Sequence, residues 1–121
     1  MARFVVLTHD HPFPHWDLML EQGDCLRTWR LVRPPDTAKS IEAEALRDHR
    51  LAYLDYEGPV SGGRGTVERW DVGTYETVES TDDRVVVRFV GRKLIGVASL
   101  ERPASGARWI FRRLPSSPEG S

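Results

Sequence analysis

Turn-forming residues interrupt this chain so often that few segments between them have the length of a stable helix. Gln22-Gly23-Asp24, Pro34-Pro35, Gly58-Pro59 and Ser61-Gly62-Gly63 punctuate its first half, and the runs between such signals have strand character. His15 to Glu21 alternates, with Trp16, Leu18 and Leu20 on one face and His15, Asp17, Met19 and Glu21 on the other. Phe4 to Leu7 is a compact apolar run, partly β-branched. Gln22-Gly23-Asp24 reads as a hairpin turn, with Leu26 to Val32 as the return strand. Leu51–Glu57, Thr66–Trp70, Thr74–Val78, Arg84–Val90, Lys93–Leu100 and Arg108–Arg113 supply further strands. A helix is predicted only from Ser40, a good N-cap, to Leu46, with Glu42 and Glu44 in its first turns. The chain is therefore predicted to be mainly β, a closed or nearly closed antiparallel β-barrel of about eight strands with one short helix. Closure is favoured because it removes exposed sheet edges.

At 121 residues the chain can bury one hydrophobic core but not two, so a single domain over residues 1–114 is expected. Residues 115–121 hold only Pro, Ser, Glu and Gly, and a disordered tail is expected there. The lone cysteine, Cys25, excludes an intramolecular disulfide and reads as a half-buried thiol in a strand. No run approaches the roughly 18 apolar residues of a membrane-spanning helix. The apolar run in Met1 to Leu7 is too short for a signal peptide. A cytoplasmic monomer is expected.

The net charge of −1 is unevenly spread. Arg84, Arg88, Arg92, Lys93, Arg102, Arg108, Arg112 and Arg113 face a single acid, Glu101, between positions 84 and 113, a local charge of +7. Such a segment could face phosphates, or could be the solvated side of arginine-bearing strands.

The densest polar cluster is His9-Asp10-His11-Pro12-Phe13-Pro14-His15-Trp16-Asp17, which holds three of the four histidines. Residues two apart on a strand project from one face, so the His15 imidazole and the Asp17 carboxylate point together. His9 ends the preceding strand, and the proline-containing loop can fold it back toward them. Two histidines and a carboxylate with open positions suit Mn²⁺, Fe²⁺ or Zn²⁺, and the ligand set alone does not choose among them. The competing reading is a solvated strand face with loop histidines. His49 and Tyr53 form a second point of interest, since histidine can contact a phosphate or donate a proton to a leaving group. A turn histidine beside a half-buried tyrosine is the plainer alternative. Gly62-Gly63-Arg64-Gly65 lacks the lysine and hydroxyl residue of a P-loop and reads as a glycine-rich turn.

Taken in order, these segments resemble the 3′-phosphoesterase domain family of DNA ligase D. The carriers are His9 followed by His15-Trp16-Asp17-Leu18-Met19-Leu20-Glu21, then Leu26-Arg27-Thr28-Trp29, then Asp48-His49 with Leu51, Tyr53, Asp55, Tyr56, Glu57 and Gly58. Gly65-Thr66-Val67, Trp70-Asp71 and Gly73-Thr74-Tyr75-Glu76 follow, and Lys93-Leu94, Gly96, Leu100 and Trp109 fit the closing strands. The resemblance runs from about Phe4 to Arg113. It implies an eight-stranded barrel with a cleft and a manganese ion held by His9, His15 and Asp17, with zinc or iron as alternatives. It also implies His49 as a phosphate-contacting catalytic residue with Tyr53 beside it.

The activity it implies is removal of a 3′ ribonucleoside and then a 3′ phosphate from DNA ends before ligation in break repair, so DNA or RNA-terminated DNA 3′ ends, and a DNA ligase or repair complex, are the expected partners. Three positions depart from the family pattern: Met19 and Ile41 where it has arginines, and Leu7 where it has a glutamine. Arg33, where the family tends to have a lysine, Arg64 and the basic C-terminal strands are the candidate replacement cations. Two readings follow. One is a metal-dependent phosphodiesterase and phosphomonoesterase on nucleic-acid 3′ ends. The other is a barrel that binds nucleic acid or metal and has lost the reaction. His15-x-Asp17 with a distant His49 also spells the facial triad of a non-haem iron oxygenase, but 121 residues are few for that fold plus a co-substrate site.

Overall fold

The computed structural model describes residues 2–104, 106 and 108–115. Its organising unit is the hairpin of β1 (Ala2–His9) and β2 (His15–Gln22), whose antiparallel register sets His9 opposite His15 and Leu7 opposite Asp17. Gly23-Asp24 then turns the chain into β3 (Cys25–Leu31). Gly23 has φ 61° at the first central position, where a type II′ turn requires it. The remaining strands are β4 (Ser40–Arg50), β5 (Gly58–Pro59), β6 (Thr66–Ser80), β7 (Arg84–Val90), β8 (Ile95–Glu101) and β9 (Trp109–Arg113). They run β1-β2-β3-β4-β9-β8-β7-β6, and β6 pairs back onto β1, closing an eight-stranded antiparallel barrel. The two-residue β5 is an addition along the start of β6.

One side of each barrel strand supplies the interior: Phe4 and Val6, Leu18 and Leu20, Trp29 and Leu31, Ile41 and Ala43, Tyr75, Val85 and Phe89, Leu100, Trp109 and Phe111 pack together. The alternation expected in β2 holds, with Leu18 and Leu20 inward and Trp16 packed against the same cluster. Its other face is not solvated. Val5, Leu7, Met19 and Leu26 form a second apolar cluster outside the barrel, covered by Leu54, Val60 and Val67. Phe4 to Leu7 are consequently all fully buried.

Several elements differ from their sequence-based expectation. Residues 40–46 form the start of β4 rather than a helix, with Ile41 and Ala43 buried between exposed Glu42 and Glu44. Pairing with β3 on one side and β9 on the other overrides the local helix preference of that segment. The short helical element is a 3₁₀ turn at Leu51–Leu54, where a strand was expected. The strands expected at 66–70 and 74–78 are one, β6, which passes Gly73 without a break. A Cβ at Gly73 would lie 2.1 Å from the Val90 carbonyl oxygen, so only glycine lets β6 approach β7 this closely. The strand expected from Lys93 begins at Ile95 instead, because residues 91–94 make a turn over the buried Asp71 carboxylate. That carboxylate accepts hydrogen bonds from the backbone N–H groups of Arg92, Lys93 and Leu94. Pro115 is exposed, and the rest of the tail expected to be disordered, 116–121, lies outside the described residues.

Candidate metal centre

The outward face of β1, β2 and β3 carries two neighbouring polar rows among apolar ones. Leu7 stands opposite Asp17, Asp17 opposite Arg30, and Arg30 opposite Glu44. The next rows hold His9 with His15 and Met19 with Thr28. Period two alone therefore sets His9, His15 and Asp17 side by side, and their ligating atoms all lie within 4.8 Å of one another. Asp17 Oδ2 is 3.4 Å from His9 Nδ1, and Asp17 Oδ1 is 3.2 Å from His15 Nε2. The two histidine–aspartate separations are comparable to those of donor atoms that share an ion at about 2.0–2.3 Å. His15 and Asp17 are buried, at 1% and 3% exposure, and His9 is half-buried at the cleft edge.

Hydrogen bonding decides which nitrogen of each ring is available. His9 Nε2 lies 2.7 Å from the Arg64 carbonyl, and His15 Nδ1 lies 2.8 Å from the Phe13 carbonyl. A carbonyl only accepts, so each of these nitrogens carries the hydrogen and donates. The opposite nitrogens, His9 Nδ1 and His15 Nε2, then direct lone pairs at Asp17. His15 Nε2 and Asp17 Oδ1 are buried with no hydrogen-bond partner among the described residues. With both imidazoles neutral, the two lone pairs and the carboxylate are all acceptors, and a divalent cation would satisfy them together. Histidine nitrogens and a carboxylate with backbone-fixed tautomers fit Mn²⁺, Fe²⁺ or Zn²⁺.

The glycine-rich turn has a role in this geometry. It is a turn, as expected, and it carries the Arg64 carbonyl that orients His9. Gly65 has φ 77°, and a Cβ there would lie 2.1 Å from Asp10 Oδ1, which accepts the Thr66 N–H at 2.8 Å. Glycine is thus required for the loop to close on the strand end that bears His9.

His9 and Asp17 open onto a cleft of about 360 Å³, a size typical of small-molecule sites. Met19, His49, Tyr53 and Arg64 line the same cleft. His49 stands on β4 with Nδ1 2.9 Å from the Arg47 carbonyl, so Nε2 is its free atom. The Tyr53 ring meets the His49 ring edge-on, with centroids 5.8 Å apart. Other residues do not converge there. Arg33 is exposed in the bend after β3 and is not among the residues lining the cleft. Ile41 points into the barrel core, so a cation at that position would face the interior rather than the site. Leu7 is buried beside Asp17 in the outer apolar cluster. Arg64 lines the cleft but spends its Nε and Nη2 on the Ser61 carbonyl and hydroxyl.

The basic C-terminal strands are largely neutralised. Arg84 pairs with Glu79 and Glu101, Arg88 with Glu76, Arg102 with Asp83, Arg108 with Glu42, and Arg112 with Glu101. Only Arg92, Lys93 and Arg113 of the eight cations are without an ion pair among the described residues. Positive charge collects at the cleft instead, where Arg30, Arg47, Arg50 and Arg64 outnumber Asp17 and Asp48. Arg30 is the residue that sequence reasoning missed. Cys25 is half-buried, and burial followed by its contact with Asp48 pushes its thiol up from the ordinary range, away from the reactive thiolate. No helix among the described residues is long and apolar enough to cross a membrane.

Residues 7–102 match the model of a family described as the DNA ligase D 3′-phosphoesterase domain. The chain is 34% identical over 120 residues to the multifunctional non-homologous end joining protein LigD of Mycobacterium bovis, and equally to the DNA repair protein of that name in Mycobacterium tuberculosis. Each alignment covers 92% of this chain and 16% of the relative. The LigD protein of Pseudomonas aeruginosa is 32% identical over 84 residues, covering 65% of this chain and 10% of that protein. The chain therefore spans about a sixth of the length of the mycobacterial relatives it matches.

Proposed function

Because this chain belongs to the DNA ligase D 3′-phosphoesterase domain family, we propose that it is a divalent-metal-dependent phosphoesterase acting on nucleic-acid 3′ ends. Its substrates would be DNA ends bearing a 3′ phosphate or a terminal 3′ ribonucleoside, trimmed ahead of ligation in non-homologous end joining. A DNA ligase or repair complex would be its partner. The observation that carries the reading is the pair of imidazoles whose tautomers are fixed by the Arg64 and Phe13 carbonyls, aiming two lone pairs at the Asp17 carboxylate.

His9, His15 and Asp17 would hold the ion, with manganese the first candidate and zinc or iron the alternatives. Once bound, it would supply Lewis-acid stabilisation of charge on the phosphoryl oxygens. The chain's own residues supply the rest. The cleft arginines attract and orient the anionic strand end. His49 keeps its Nδ1 hydrogen on the Arg47 carbonyl, so Nε2 is the atom that exchanges a proton with a leaving or attacking oxygen. Tyr53 packs against the His49 ring and steadies its plane. Met19, Val60 and Val67 give the cleft an apolar wall that excludes water and strengthens its electrostatics.

A second reading is supported by Met19, which is 1% exposed and presents a thioether beside Asp17. A barrel with no charge at that position could bind nucleic acid or metal without turning it over. One assay separates the two. Duplexes ending in a 3′ phosphate or a single 3′ ribonucleotide are incubated with Mn²⁺, Zn²⁺ or a chelator, and the products are resolved on a gel. We expect Mn²⁺-dependent release, lowered about 10²-fold or more by His15→Ala and by His49→Ala. If no metal supports turnover of either substrate while DNA binding persists, the phosphoesterase reading is wrong and the binding module stands.

A further inference from the structure

We propose that Arg30 is the clamp that grips the terminal phosphate of the substrate, and that it biases the site toward a phosphate monoester at the 3′ end. This inference rests on the phosphoesterase reading above and names a residue and a preferred substrate within it.

Arg30 stands directly across from Asp17 in the β2–β3 ladder, so both side chains leave the same face of the sheet. Both line the cleft that His49 also lines. The Arg30 side chain is only 23% exposed. Its Nε is buried and makes no hydrogen bond among the described residues, an unspent donor in a position where leaving it unpaired is costly. The nearest carboxylate, Glu44 Oε1, is 3.6 Å from Nη1, beyond hydrogen-bond length, and belongs to a side chain 66% exposed. The Phe13 ring centroid lies 5.6 Å from the guanidinium carbon, a cation–π contact on one side of the group.

The other cleft arginines are differently disposed. Arg64 is tied to Ser61, and Arg47 and Arg50 are exposed on the β4 wall. Arg30 alone combines burial, an unspent donor and adjacency to Asp17.

Charge bookkeeping points to the ligand class. A divalent ion on His9, His15 and Asp17 would add two positive charges beside Arg30; with Arg30 and Asp17 the three groups sum to +2, the 66% exposed Glu44 side chain lying outside that sum. A phosphate monoester carries about −1.5 to −2 at neutral pH, whereas a diester carries one negative charge. A guanidinium fork can also give two parallel hydrogen bonds to terminal phosphate oxygens. The plain alternative is that Arg30 is merely the cross-strand ion-pair partner of Glu44.

The test is calorimetric titration of inorganic phosphate onto the Mn²⁺-loaded protein, with thermal unfolding of every variant and turnover of 3′-phosphate DNA measured in parallel. Arg30→Gln should weaken phosphate binding about 10- to 100-fold, the range for a charged hydrogen bond. Arg30→Lys should recover part of that loss, since it keeps the charge and loses the fork. Glu44→Gln should leave phosphate affinity unchanged or raise it, by freeing the guanidinium. Equal weakening by Arg30→Gln and Glu44→Gln, with matching losses of stability, would assign Arg30 to the ion pair and overturn the clamp. Unchanged phosphate affinity in Arg30→Gln overturns it too. Should Arg30→Gln fail to fold, Arg30→Lys carries the test, and wild-type affinity in that variant counts against the fork. If the wild type binds phosphate in an Arg30-dependent way yet releases none from 3′-phosphate DNA, the clamp survives and the phosphoesterase reading fails.

Discussion

When no ion is bound and both imidazoles are neutral, His9 Nδ1 and His15 Nε2 face the Asp17 carboxylate at 3.4 and 3.2 Å with no hydrogen on either side. That arrangement costs stability, because Asp17 is 3% exposed and its Oδ1 has no donor among the described residues. Asp17→Asn replaces one of the two acceptors by an NH₂ of the same size, which can donate to an imidazole lone pair. Relieving one or two unsatisfied buried atoms is worth about 1–3 kcal/mol. The variant should therefore be more stable than the wild type in chelator by roughly that amount, raising Tm by about 4 °C per kcal/mol for a chain of this size. In saturating metal the order should reverse or close. A ligand at 100 times its Kd stabilises the native state by about 2.7 kcal/mol, and the variant, lacking a carboxylate ligand, should gain little of it.

Urea unfolding followed by tryptophan fluorescence at pH 8, in EDTA and then in Mn²⁺ or Zn²⁺, reads both quantities. A gain of native stability on removing a buried charge marks a residue kept for function at the expense of the fold. If Asp17→Asn loses stability in EDTA, or responds to metal as fully as the wild type, the acceptor-against-acceptor account is refuted.

Four further outcomes are expected. Gly65→Ala, strained at φ 77° and crowding Asp10, should displace the Arg64 carbonyl from His9 and weaken metal affinity about 10- to 100-fold by titration. Asp71→Ala removes the acceptor of the part-buried Arg92 and Lys93 N–H groups and of the buried Leu94 N–H and should cost about 2–4 kcal/mol in urea unfolding, with metal affinity unchanged. The Tyr75 hydroxyl is pushed above the ordinary tyrosine value by burial and, secondarily, by the Glu21 charge; the neutral form is favoured in the fold, so stability is intact below about pH 10 and falls as pH rises through the raised value. Tyr75→Phe should flatten that alkaline decline in urea midpoints taken from pH 7 to 11.5. Finally, Arg88, Arg92 and Lys93 changed together to glutamine should alter the salt dependence of DNA binding less than Arg47 and Arg50 changed to glutamine, because the latter pair lines the cleft.

The fold was legible wherever a strand alternated on its own. His15 to Glu21 announces its inward and outward faces without help from the rest of the chain, and the turn at Gly23-Asp24 announces the partner strand. Residues 40–46 did not, because alanine, glutamate and leucine after a serine satisfy a helix locally. What makes them a strand is hydrogen bonding to β3 and to residues 109–112 of β9, which no local window contains. The apolar cover over Val5, Leu7 and Met19 was hidden for a similar reason: it is assembled from Leu54, Val60 and Val67, on three separate segments.

The site divides along the same line, and Arg30 lies on the legible side of it. A two-residue turn pairs Gln22 with Cys25, and counting back from that pair sets Asp17 against Arg30, so the cation beside the carboxylate follows from the turn alone. Ile41 shows where such counting fails. It is eight residues from His49, an even interval that would put both on one face of a regular strand. The β3–β4 register shifts between Leu26 and Thr28, and the extra residue on β4 reverses the parity: Ile41 enters the core while His49 lines the outer cleft. The charge distribution fails for a related reason. The acids that neutralise Arg88 and Arg108, Glu76 and Glu42, lie on adjacent strands, 12 and 66 residues away in sequence. The cleft cations at positions 30, 47, 50 and 64 come from three elements, β3, β4 and the turn before β6, and meet only in the folded barrel. A charge counted along this chain is thus a poor guide to the surface proposed to meet DNA, whereas a charge placed by strand register next to Asp17 is a specific one.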